Sequence, residues 1–123
     1  MYRPLVMVVD DDPDLRETLC DVLEQAGYPT ICAEHGLAAL QLLRETRELP
    51  SVILLDLMMP VMDGKELVGE LRKDPRLAEL PFVVFTAHTD RDRAAASLQA
   101  AAALTKPLEL DELLSVVASV AGR

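Results

Sequence analysis

The amino-acid sequence predicts an α/β fold, a doubly wound sheet of five parallel strands with helices on both faces. Short runs such as residues 5–9 and 52–55 are apolar throughout, which suits strands that are covered on both faces. Between these runs apolar residues recur at helical spacing, so strands and helices alternate along the chain. Right-handed crossovers between parallel neighbours then favour the strand order 2-1-3-4-5.

The predicted elements follow from local signals. The strands are the short apolar segments at residues 5–9, 29–33, 52–55, 81–85 and 103–105. The helices are the segments at residues 13–26, 36–48, 65–73, 89–102 and 109–120. Asp12 and Pro13 suit an N-cap and first helical position, Gly27 suits a helix end, and Pro29 favours an edge strand because it lacks a ladder donor. Residues 1–123 are expected to form one domain, a flavodoxin-like three-layer sandwich.

Composition argues against several classes of protein. No apolar run reaches the roughly 18 residues of a membrane span, and the short N-terminal run meets acid too soon for a signal peptide, so we expect a cytoplasmic protein without membrane insertion. Twelve basic against 21 acidic residues give a net charge of −9, which argues against direct nucleic-acid binding. Cys20 and Cys32 lack a C-x-x-C spacing and are interpreted as small apolar fillers rather than a disulfide or metal pair.

Polar residues follow four of the predicted strands. Asp10 and Asp11 follow the first, Asp56 the third, Thr86 the fourth and Lys106 the fifth. Because these strands are neighbours in the predicted order, their carboxyl ends can share one pocket. Carboxylates about 4 Å apart repel by roughly 4 kcal/mol per pair at an effective dielectric of 20, so such a cluster raises its pKa values or binds a cation. All-oxygen ligands favour Mg²⁺.

With these motifs the chain resembles the receiver domain of bacterial two-component response regulators. The matching segments are VVDDDP, LLDLMMPVMDG, VVFTA and LTKP, in that order and across the whole chain. The resemblance implies that Asp56 is the phosphoacceptor, that Lys106 stabilises the transferred group and that the Thr86 hydroxyl responds to it. The protein would then catalyse only its own phosphorylation and dephosphorylation.

The resemblance also implies how a cation is bound. Asp11 and Asp56 would ligate Mg²⁺ directly, together with the backbone carbonyl of Met58, and Asp10 would act largely through water. The three ionised acids Asp10, Asp11 and Asp56, a protonated Lys106 and Mg²⁺ have charges that sum to zero. Such a neutral site can accept an anionic phosphoryl group.

The family pattern suggests partners and one backbone feature. A histidine kinase or histidine phosphotransfer protein would supply the phosphoryl group. A downstream effector protein or an output domain would bind the face formed by residues 89–102, the fifth strand and the final helix, and a homodimer remains an open alternative. The Lys106–Pro107 peptide is expected to be cis.

Two features depart from the family pattern. Ala103 stands where many receivers carry Tyr or Phe, and Gln99-Ala100 replaces the usual Gly-Ala. We therefore hypothesise that the output depends on backbone movement of the loop after the fourth strand, which relaxation-dispersion NMR with a phosphoryl mimic would test. Met58 and His88 occupy positions where the family tunes dephosphorylation. Because an apolar Met58 cannot orient water, we predict a long-lived phosphorylated form.

Three other functions share parts of this pattern. A hydrolase of the haloacid dehalogenase type needs a second Asp where this chain has Met58. An FMN carrier needs an uncharged phosphate loop where this chain has three successive Asp. A receiver-like interaction module that is never phosphorylated stays open because of Ala103. The remaining polar residues have structural interpretations: Asp12 as an N-cap, Asp63 in a turn with Gly64, and His35 and His88 as solvated side chains.

Overall fold

The computed structural model describes residues 4–57, 59, 61–86 and 96–121. Strands and helices alternate as the sequence predicts up to residue 86, and the chain is described again from residue 96. The strands are β1 (Val6–Val9), β2 (Thr30–Ala33), β3 (Val52–Asp56), β4 (Phe82–Thr86) and β5 (Ala102–Thr105). The helices are α1 (Pro13–Gln25), α2 (Gly36–Glu45), α3 (Gly64–Lys73) and α4 (Leu110–Ala121).

All neighbouring strands pair in parallel, in the order β2-β1-β3-β4-β5. This confirms the predicted fold class, strand order and edge position of the strand after Pro29. The register sets Asp56 beside Phe85 and Thr86 beside Thr105, so the carboxyl ends of β3, β4 and β5 meet at one edge of the sheet. Those are the ends that carry the predicted site residues.

The core lies on both faces of the sheet. Every residue of β1, β3 and β4 is buried, which explains why these strands show no polar alternation. Met7, Ile53 and Val84 face α2 and α3, while Val8, Leu54 and Phe85 face α1 and α4. No helix within the described ranges is long and apolar enough to cross a bilayer.

Side-chain caps begin the first three helices. The Asp12 carboxylate accepts hydrogen bonds from the backbone of Asp14 and Leu15, as its predicted N-cap role requires.

Asp63 and His35 correct two interpretations. Asp63 was expected only to turn the chain, but it caps α3 in a capping box with Glu66. His35 was expected to be solvated, but its Nδ1 accepts the Ala38 N–H at 3.1 Å and caps α2. Both roles depend on a helix that starts at the next residue.

The predicted Ala-rich helix over residues 89–102 ends earlier than expected. Residues 89–95 lie outside the described residues, but Gln99 has a left-handed φ of 59° and Ala102 already belongs to β5. A residue in this conformation ends an α-helix, and the Ala101 N–H then bonds to the carbonyl of Phe82. The prediction is therefore wrong from Gln99 onward.

The interpretation of the cysteines is also wrong. Cys20 on α1 and Cys32 on β2 form a disulfide. The two residues are 12 positions apart, without a spacing motif, and they meet because α1 packs against the neighbouring strand β2. A hydrogen bond of 2.8 Å from the Thr30 hydroxyl to the Glu24 carboxylate joins the same two elements.

Candidate functional site

Three carboxylates meet at the carboxyl ends of β1 and β3. One oxygen from each of Asp10, Asp11 and Asp56 lies within 4.8 Å of the other two. Asp10 and Asp56 are 0% and 2% exposed, whereas Asp11 is exposed. Asp10 stays close to the sheet because its N–H donates to the carbonyl of Ala33 at 3.1 Å. The structure thus brings together the acidic residues that the sequence places after two different strands.

Lys106 reaches this cluster from β5. Its Nζ lies 3.1 Å from Oδ2 of Asp56, and its side chain is 28% exposed. Its backbone N–H donates to the carbonyl of Thr86 at 2.9 Å, so the ladder between β4 and β5 continues to the edge of the site. The Lys106–Pro107 peptide is cis, as the resemblance implies.

Thr86 is the last residue of β4 and is 3% exposed. Because Phe85 is the register partner of Asp56, Thr86 lies one residue beyond Asp56 on the neighbouring strand. A hydroxyl there is placed at the same edge of the sheet as the carboxylates. The strand register, not any local motif, brings it to this edge.

The electrostatics of the cluster are dominated by burial. Burial, and to a smaller extent the charge of Asp56, raises the pKa of Asp10 from 3.8 to about 6. The Asp12 N–H, which donates to Asp10 Oδ1 at 2.9 Å, and the charge of Lys106 act in the opposite direction. Ionised Asp10 therefore carries a cost that its surroundings only partly offset.

The donor set fits a hard cation. Asp10 Oδ2 is buried and has no hydrogen-bond partner among the described residues. The facing carboxylate of Asp56 could supply a donor only if one of the two groups were protonated. A buried oxygen without a donor, beside two more carboxylates, suits a ligand of Mg²⁺ or an acceptor for a water bound to Mg²⁺.

Other predicted positions lie elsewhere or outside the described residues. Met58 and His88 are outside them, so the carbonyl ligand and the positions that tune dephosphorylation stay predictions. Ala103 is half-buried in β5, beside Val84 and next to the apolar cluster under α2 and α3. Its methyl group offers no ring that could turn between two positions.

Two residues near the site were not anticipated from the sequence. Arg16 on α1 donates from Nη1 to the backbone carbonyl of Asp10 at 2.7 Å. Phe85 places its ring beneath Lys106, whose Nζ lies 5.4 Å from the ring centroid. Arg16 lies six residues after Asp10 and belongs to no motif. For Phe85, the apolar run of residues 81–85 indicated a core residue but gave no sign of the lysine above it.

The fold and the edge cluster define a class of protein. The family model of the response regulator receiver domain matches residues 6–118, and the chain belongs to this family of two-component signalling domains.

Particular relatives can then be named. The chain is 40% identical over 114 residues to an uncharacterized 14.6 kDa protein of Leptolyngbya boryana, covering 91% of this chain and 86% of that one. It is 37% identical over 119 residues to the DNA-binding transcriptional regulator NtrC of Escherichia coli K12, covering 95% of this chain but only 24% of NtrC. A putative response regulator of Chloroflexus aurantiacus has a similar crystal structure, with a TM-score of 0.89, 32% identity, and coverage of 99% of this chain and 100% of that one.

Proposed function

We propose that residues 1–123 act as a single receiver domain in which Asp56 accepts a phosphoryl group and thereby changes partner binding. The observation that carries this proposal is the setting of Asp56. It is a buried carboxylate, 3.1 Å from the ammonium of Lys106, inside a cluster of three acids. Membership of the receiver family supports the same assignment.

The proposed reaction transfers a phosphoryl group from a phosphohistidine of a histidine kinase or phosphotransfer protein. A carboxylate oxygen of Asp56 forms a bond to phosphorus while the phosphorus–nitrogen bond breaks. The imidazole leaves with the bonding electron pair and takes up a proton from water, and Asp56 becomes an acyl phosphate. The ammonium of Lys106 stabilises negative charge on the transferring oxygens. Attack of water on the acyl phosphate releases inorganic phosphate and restores the carboxylate.

Asp10, Asp11 and Asp56 would hold Mg²⁺, with the Met58 carbonyl as a further ligand by resemblance to the family. When bound, Mg²⁺ supplies positive charge that offsets the repulsion between the acids and an incoming anionic phosphoryl group. Asp10 contributes to this site through Oδ2, the oxygen that has no partner among the described residues.

Thr86 is the proposed sensor of phosphorylation. A charge-assisted hydrogen bond from its hydroxyl to a phosphoryl oxygen would contribute about 1.5–3 kcal/mol. A difference of that size shifts a two-state equilibrium roughly ten- to a hundredfold. With Ala103 in place of an aromatic ring, we propose that the shift passes through the backbone after β4 to the face near β5 and α4. An effector protein or output domain would bind this face.

The experiment incubates the protein with Mg²⁺ and acetyl phosphate and measures its intact mass. We expect a gain of about 80 Da, one phosphoryl group, in the parent but not in Asp56→Asn. Asp12→Asn is the matched control, because Asn caps α1 as well as Asp does and the gain should persist. Slow decay of the gain after donor removal is expected from an apolar Met58. A parent without the gain, or an Asp56→Asn protein with it, would refute the proposal.

A further inference from the structure

Lys106 is held from two sides, and one of them is an aromatic ring. Its Nζ lies 3.1 Å from Asp56 Oδ2 and, over the face of Phe85, 5.4 Å from the ring centroid. A cation within about 6 Å of a ring centroid is attracted by the π electrons, and the attraction grows as water is excluded. Phe85 is 0% exposed, so its ring presents a dry face to the ammonium.

The backbone fixes Phe85 on both sides. In the register of the sheet it pairs with Asp56 on β3 and with Leu104 on β5. Its carbonyl also accepts the Leu57 N–H at 3.3 Å, just beyond Asp56. The ring packs in the cluster under α1 and α4, where it has little freedom to turn away.

Whereas Phe85 is fixed by the sheet and the core, the flexible side chain of Lys106 depends on its contacts to keep its position. Its ammonium is carried on a flexible chain of four carbons, and its side chain is 28% exposed, so water competes for the ammonium. The Asp56 carboxylate attracts it only while that carboxylate is ionised and not yet phosphorylated. The ring attracts the ammonium whatever the state of Asp56, because its quadrupole does not titrate.

We propose that Phe85 is a positioning residue for phosphoryl transfer, whose ring face holds the Lys106 ammonium in line with Asp56. This inference rests on the proposed phosphoacceptor function of Asp56. A leucine at position 85 would fill part of the same core space but would offer no π electrons.

The chain supplies its own control for a test. It has two phenylalanines, and both lie in β4. Phe82 begins the strand, away from the site, and is 7% exposed. We expect Phe85→Leu to lower the maximal rate of phosphorylation by acetyl phosphate roughly two- to fivefold with little change in KM, and Phe82→Leu to change neither. Thermal unfolding of both variants checks that they fold.

Phe85→Leu changes both the packing of the core and the π electrons, and a series of fluorinated phenylalanines separates the two effects. Phenylalanines with one, two or three fluorines keep nearly the same shape while the electron density on the ring face falls. We expect the logarithm of the maximal rate to fall steadily along the series at position 85, and to stay constant at position 82. In a Lys106→Met background the series at position 85 should be flat, because the cation is gone.

The outcomes separate the two proposals. A parent that is phosphorylated but shows a flat series at position 85 would overturn the role of Phe85 and leave Asp56 as the phosphoacceptor. A parent that is not phosphorylated would overturn both. A graded fall confined to position 85 and dependent on Lys106 supports the inference.

Discussion

The β1 side and the β4–β5 side of the site treat their charges differently. On the β1 side, Asp10 is fully buried, and its Oδ2 has no partner among the described residues. On the β4–β5 side, Lys106 pairs with Asp56 and lies over the ring of Phe85. The acidic side is thus poised to bind a cation at the expense of stability, whereas the cationic side is internally compensated. Removing the charge of Lys106 should therefore lower the rate of phosphoryl transfer, whereas removing the charge of Asp10 should raise the free energy of unfolding.

The largest expected effect lies on the compensated side. Lys106→Met should lower the rate of Asp56 phosphorylation by acetyl phosphate about a hundredfold, because the charge proposed to stabilise the transferring oxygens is lost. Lys73→Met is the matched control, since that lysine is 74% exposed on α3 and should leave the rate unchanged. A Lys106→Met protein that reacts at the parental rate would show that the pairing with Asp56 plays no part in transfer.

The next effect lies on the acidic side and is an increase in the free energy of unfolding. The pKa of Asp10 is raised from 3.8 to about 6, so its contribution to folding stability is fully present below pH 3.8 and is lost as the pH rises through 6. Asp10→Asn should therefore stabilise the metal-free protein at pH 8 by up to about 3 kcal/mol. It should also weaken the stabilisation that Mg²⁺ gives the parent.

Urea unfolding in EDTA, from pH 4 to pH 8, measures this effect. The difference in stability between Asp10→Asn and the parent should grow with pH across this window and level off above pH 7. Asp63→Asn keeps the cap of α3 and should show no such trend. A variant that is less stable than the parent at pH 8 would contradict the assignment of a cost to the β1 side.

The smallest expected effect lies before β5, at the opposite end of that strand from the site, and concerns a cost that involves no charge. Gln99, just before β5, has a left-handed φ of 59°, which disfavours any residue with a Cβ. Gln99→Gly should raise the free energy of unfolding by about 1 kcal/mol, and the gain should be independent of pH because no charge is involved. The same urea titrations measure it, with Gln99→Ala as the control that keeps the Cβ. Equal stabilities of the two variants would show that the left-handed φ of Gln99 carries no such cost.

Local patterns were reliable where the chain conforms to them. The apolar runs of β1, β3 and β4 were found because buried parallel strands need no alternation, and Asp12 was found because an N-cap signal lies within one helical turn. The end of the helix at Gln99 was missed because that residue adopts a backbone conformation that its type disfavours. The Cys20–Cys32 disulfide was missed because it depends on the packing of α1 against β2. The roles of Asp10, Asp11, Asp56, Met58, Thr86 and Lys106 stay predictions.

The sequence by itself determined the alternation of strands and helices, their order in the sheet, and hence which residues stand at neighbouring strand ends. The alternation depends on hydrophobic periodicity, which is local along the chain, and the order follows from the right-handed crossovers that this alternation requires. Only the tertiary structure decided that burial raises the pKa of Asp10, that Arg16 donates a hydrogen bond to its carbonyl, and that the Phe85 ring lies beneath Lys106. Those contacts depend on burial and on the register of strands distant in the chain, for which no local signal exists.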